Sequence, residues 1–144
     1  MPVCERGRHA CSLRGFGTDP RRRKSMMMRA ARGAIAVRHD DAEDLLSSTE
    51  RLLAAMLQRN EVTTEDIVSV LFTATDDLRS AFPAEAARRL GLGRVPLMCA
   101  REIPVDGAMP RVVRVLMHFH TALAPGEIVH VYLDGAETLR DDLS

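Results

Sequence analysis

At 144 residues the chain is long enough for one domain with a real core. Lys/Arg and Asp/Glu balance at 20 each, which argues against nucleic acid as the main partner, and no apolar run approaches the roughly 18 residues of a membrane span. Aromatic residues are scarce, so the core must be aliphatic and rich in Met, and three cysteines (Cys4, Cys11, Cys99) build no disulfide framework, which points to a reducing cytoplasm.

Residues 1–25 hold seven Lys/Arg against two Asp/Glu and show no periodicity. They read as a disordered basic extension or as a misassigned start, with the true start among Met26, Met27 and Met28. The folded domain is expected over 26–144. Its first strand, Met28–Val37, puts Arg29, Ala31, Gly33, Ile35 and Val37 on one face and Ala30, Arg32, Ala34 and Ala36 on the other. Arg32, flanked by alanines, is either an exposed edge arginine or a pocket arginine, and periodicity leaves both open. Asp40 or Asp41 caps a helix that runs to Arg59 and stops at Asn60. Leu45, Leu46, Thr49, Leu52, Leu53, Met56 and Leu57 form its apolar stripe. Thr63–Asp66 is a capped turn.

Ile67–Thr75, rich in β-branched residues, is the second strand. A short helix follows, with Pro83 at its start and Gly91 and Gly93 ending it. Of its Arg88 and Arg89, only one can face the same way as Phe82. Val95–Ala100 is a short strand with Pro96 near its start, hence an edge. Cys99 reads equally as a small buried hydrophobe, and Glu102 as a loop carboxylate.

Arg111–His120 has two unequal faces. Val113, Val115, Met117 and Phe119 are all apolar, whereas Val112, Arg114, Leu116, His118 and His120 stand opposite. A guanidinium at Arg114 must meet water or an anion. Ile128–Leu133 repeats this pattern and puts His130 and Tyr132 on the polar side. A last strand is expected over Ala136–Leu139, followed by Arg140 and an acidic tail. The order β α β α β β β β implies an α+β fold: a mixed sheet with two helices on one face. The other face carries Arg32, Arg114, His118, His130 and Tyr132. Val112 and Leu116 on that face would need a second subunit to cover them.

No glycine-rich phosphate loop, catalytic triad or Cys-x-x-Cys motif is present. His118 and His120 point the same way but lack an adjacent carboxylate, so no metal is assigned. Several arginines, one tyrosine and one glutamate on strands and strand ends suit a small molecule with two carboxylates and a hydroxyl. Arginine is a poor proton donor, so any catalysis by this set would be electrostatic.

Five blocks in order resemble the trimeric, AroH-class chorismate mutases over residues 26–144. They are Arg29-Ala-Ala-Arg-Gly-Ala34, Ala81-Phe-Pro-Ala84 with Arg88, Val95-Pro96 with Cys99 and Glu102, Arg114-Val115, and His130-Val-Tyr-Leu133. The resemblance implies a trimeric pseudo-barrel that isomerises chorismate to prephenate without a cofactor, at sites on subunit interfaces, with no nucleic-acid or membrane partner. It implies that Arg114 faces the ether oxygen of the breaking bond, that Arg32 and Tyr132 hold a carboxylate, and that Glu102 and Cys99 meet the ring hydroxyl. Phe82, Ala84, Arg88 and Leu139 would line the pocket, with Arg140 at its mouth. Glu85 and Met98 depart from the family pattern, which has lysine and threonine there, and Glu85 would lower the positive potential at the mouth. The alternatives are a RidA-like enamine/imine deaminase and a non-catalytic trimer that binds an aromatic metabolite.

Overall fold

Alternation in the central strand organises the sheet. The computed structural model describes residues 25–143, so the expectation for the N-terminal extension falls, apart from Ser25, outside the described residues. The elements are β1 (Met27–Ala36), α1 (Ala42–Arg59), β2 (Ile67–Ala74), α2 (Ala84–Arg89), β3 (Leu97–Arg101), β4 (Val112–Thr121) and β5 (Val131–Leu133). They form one sheet in the order β3-β2-β4-β1-β5. β4 pairs antiparallel with β1 and β2, and the edge strands β5 and β3 run parallel to those two. This is the expected mixed α+β sheet.

α1 forms where its caps and its apolar stripe agree. The Asp41 carboxylate accepts the N–H of Glu43 at 3.0 Å, and Glu43 and Asp44 stand at the positive end of the helix dipole. Its buried stripe of Leu45, Leu46, Leu52, Leu53 and Met56 joins Ala31 and Ile35 of β1 in the main core. Val113, Val115, Met117 and Phe119 of β4 enter that core, as do Ala84, Ala86 and Ala87 of α2. The helix lies close to β1: a Cβ at Gly33 would stand 2.4 Å from Met56 Sδ and 3.1 Å from Leu52 Cδ1. Glycine is needed there for the approach of the two elements, not for a turn. No helix among the described residues is long and apolar enough to cross a membrane.

Two expectations need correction. The strand expected over Ile128–Leu133 pairs only from Val131. Its first half is held by side chains instead of a ladder. Asn60 clamps Val129 on both backbone groups, with Nδ2 donating to the carbonyl at 2.9 Å and Oδ1 accepting the N–H at 2.8 Å. The strand expected over Ala136–Leu139 is part of a 3₁₀ stretch, Ala136–Leu143. Asp134 and Gly135 take positive φ (54° and 94°), and Glu137 Oε2 accepts the Gly135 N–H at 2.7 Å, which turns the chain into a coil. Ala136 and Leu139 then pack on Ala34, Val112, Met109 and Tyr132. Val112, expected to need a second subunit for cover, is thus 0% exposed within its own chain.

Candidate active site

Register brings the charged side chains into line. Ala100 of β3 pairs with Thr73 of β2, Thr73 with Arg114 of β4, Arg114 with Ala34 of β1, and Ala34 with Tyr132 of β5. Side chains in one such row share a face, here the face away from the helices. Arg32, two residues before Ala34, stands opposite Leu116 in the next row. The alanines leave room, and a cleft of about 350 Å³ opens between Arg32, Thr73, Arg114, Tyr132 and Leu139. Arg140 sits at its side, with Cζ 5.9 Å from the centre of the Tyr132 ring, within cation–π reach.

Glu102 lies just past the end of β3. Its N–H donates to the carbonyl of Ala74 at 3.0 Å, which carries the chain on beside β2. Its Oε1 accepts from the Thr73 hydroxyl at 2.7 Å and forms an ion pair with Arg114, whose Nε stands 3.0 Å away. The Glu102 side chain is 15% exposed and that of Arg114 47% exposed. The pair is therefore half-open: Nε is tied down while the Nη groups take no partner among the described residues. Thr73 was not singled out from the sequence. The available signal was parity, because Ser69, Leu71 and Thr73 are alternate residues of β2.

The other expected site residues lie elsewhere. Cys99 pairs with Phe72, whose side chain is in the main core, so Cys99 is on the helix side of the sheet. Cys99 and Glu102 therefore do not meet in one chain. Cys99 instead shares a second cavity, about 710 Å³, with Phe82, Glu85 and Arg89. Phe82 is 74% exposed. Arg88 is exposed and takes no carboxylate partner among the described residues, whereas Arg89 turns to Glu43 and Glu50 on α1. Ala84, expected to line the pocket, has its methyl group in the main core. His118 bonds the Ser69 hydroxyl through Nδ1 at 3.1 Å, and His120 is exposed near the end of β4.

Three arginines and one carboxylate around a cleft, with tyrosine at one side, define a protein whose open sheet face suits a small polyanion. The chain matches the family "Chorismate mutase type I" over residues 28–143. It is 49% identical over 118 residues to chorismate mutase AroH of Thermus thermophilus, covering 81% of this chain and 97% of that relative. It is 41% identical over 120 residues to chorismate mutase AroH of Bacillus subtilis strain 168, covering 83% and 94%. A solved chorismate mutase from Clostridium thermocellum superposes with a TM-score of 0.76 at 42% identity, over 76% of this chain and 98% of that one. The chain belongs to the type I chorismate mutase family. The deaminase alternative finds no support among these relatives.

Proposed function

We propose that this protein isomerises chorismate to prephenate, a step toward phenylalanine and tyrosine, in active sites shared between neighbouring copies of a homotrimer. Residues 26–144 are the catalytic domain, and the sparse cysteines suit a cytoplasmic enzyme. The observation that carries the reading is Arg114, held by Nε on Glu102 with its remaining donors turned loose at the cleft. A [3,3] rearrangement needs no nucleophile and no proton transfer. Its transition state separates charge, and the ether oxygen becomes enolate-like. A guanidinium already held in place meets that charge without reorganising, which is electrostatic stabilisation of the oxyanion-hole kind. Arg32 and Tyr132 hold a substrate carboxylate, Arg140 guards the mouth, and Leu139 walls the cleft. Together they freeze the folded conformer of a flexible substrate.

The two separated groups support a site shared between neighbouring copies. The open-face group is Arg32, Arg114, Glu102, Tyr132, Leu139 and Arg140. The edge group is Phe82, Arg88 and Cys99. A second copy would bring its Cys99 to the ring hydroxyl that faces Glu102. Exposed Phe82, Met98, Ile103 and Val105 supply apolar surface for that contact.

The test is direct. Purified protein is mixed with chorismate, ultraviolet absorbance follows its loss, and product analysis looks for prephenate. Stoichiometric prephenate is expected; binding without turnover would leave only a sensor. A finer test addresses Thr73. Thr73→Val keeps shape and strand propensity but removes the hydroxyl from Glu102. It is expected to lower kcat/KM roughly tenfold, the scale of one hydrogen bond to a charged group. Thr73→Ser should restore most of the loss. Equal activity in the Val variant would show that Arg114 alone orients Glu102.

A further inference from the structure

The parallel ladder between β1 and β5 starts only at Gly33 and Val131. One residue earlier on β1, a side chain takes over: the N–H of Arg32 donates to Nδ1 of His130 at 3.0 Å. An imidazole nitrogen stands where a strand carbonyl would be. That role requires a bare Nδ1, so the ring carries its proton on Nε2 and is neutral. Burial of the ring lowers its pKa from the ordinary 6.5, and the charges of Arg32 and Arg140 push it in the same direction.

His130 is itself held from behind. The Asn60 amide that ends α1 also bonds Met56 O at 2.9 Å, and it grips both backbone groups of Val129, the neighbour of His130. Two side-chain-to-backbone links in series thus join the end of α1 to the backbone of Arg32. The Arg32 side chain is itself exposed on the open face.

We propose that His130 is a positioning residue, whose neutral Nδ1 fixes the backbone of Arg32 and thereby holds that guanidinium on the substrate carboxylate. The inference rests on the reading that Arg32 binds substrate. His130 touches no reacting atom. Its effect therefore appears in substrate binding, hence in KM more than in kcat.

Protonation gives a second signature. It turns Nδ1 from acceptor to donor, facing the Arg32 N–H, and adds a third positive charge beside Arg32 of β1 and Arg140 of the 3₁₀ stretch. These are the charged groups acting on the ring among the described residues. The rearrangement itself moves no proton, so a rise in KM at acid pH reports a binding group.

Steady-state kinetics on the full chain with chorismate, from pH 8 down to about 5, test this against the ordinary histidine range. His130→Leu is expected to raise KM roughly three- to tenfold at neutral pH, the scale of one hydrogen bond, with kcat within about twofold. His130→Asn puts an amide oxygen near the former Nδ1 and does not titrate. It should return KM to near the parent value and abolish the rise in acid. In an Arg32→Ala background, His130→Leu should change KM no further. An equal change in both backgrounds would make His130 merely structural and overturn the proposal. If the Leu variant fails to fold, the Asn variant decides: an acid rise like the parent's overturns it. If Arg32→Ala raises KM while His130→Leu does not, only the positioning role falls. If Arg32→Ala leaves KM unchanged, the assignment of Arg32 falls and the proposal falls with it.

Discussion

Arg114→Ala is expected to lower kcat/KM for chorismate by at least about 10²–10³-fold, the scale of losing one oxyanion-hole donor. The physical reason is where the donors stand. Nε stands 3.0 Å from Glu102 in an ion pair, so the guanidinium is anchored beside the cleft before substrate arrives. In the proposed mechanism the Nη groups are left for the ether oxygen. Alanine removes those donors and also strips Glu102, which is only 15% exposed, of its positive partner. The remaining carboxylate keeps the Thr73 hydroxyl but now repels a dianion. Arg114→Lys should fail by a comparable factor. An ammonium is a point charge and cannot serve Glu102 and the ether oxygen in a planar fork. Neither change should unfold the protein, because the Arg114 side chain is nearly half exposed and lies outside the core. Circular dichroism and oligomer mass guard that point. Near-normal turnover in a correctly assembled Arg114→Ala protein would sink the assignment.

The second large effect concerns assembly. Arg114→Ala damages the open-face group, and Arg88→Ala damages the edge group. If each site draws one group from each of two neighbours, the defects lie in different subunits. Mixing the two variants by co-expression, or by joint unfolding and refolding, should then rebuild activity. In a closed ring of three, any mixed trimer has one site with both groups intact, so activity should reach up to about a third of wild type. Each variant alone should stay far below that. Sites built within single subunits would give no more than the average of the two parents, which would refute sharing. Gel filtration of the same mixtures reports the ring directly.

Much of this arrangement could be read locally. Val113, Val115, Met117 and Phe119 alternate, and Arg114 breaks the polar face among them, so one strand announced both a core and a ligand. Asp41, the leucine stripe and Asn60 marked α1 at both ends. Cys99 and Glu102 are three residues apart in extended chain, and that odd spacing already puts them on opposite faces. The family resemblance implies that both meet one hydroxyl, and the pairing of Cys99 with Phe72 keeps them on opposite faces within a chain. Ile128-Val-His-Val-Tyr-Leu133 alternates like a strand throughout, yet it pairs only over Val131–Leu133. Alternation describes which way side chains point, not what bonds the backbone. Here Asn60, far away in sequence, takes the bonds at Val129, and His130 takes the one at Arg32.

Local pattern therefore determined the elements up to the end of β4, the identity of the core faces and the cationic character of the open face. These depend on periodicity and capping, which are properties of neighbouring residues. Partnerships came from the tertiary structure: Thr73 and Arg114 on one oxygen of Glu102, His130 behind Arg32, the C-terminal coil over Val112, and the edge group on the far side of β3. Each joins residues distant along the chain, and only strand register and the path of a loop decide which of them come within hydrogen-bonding reach.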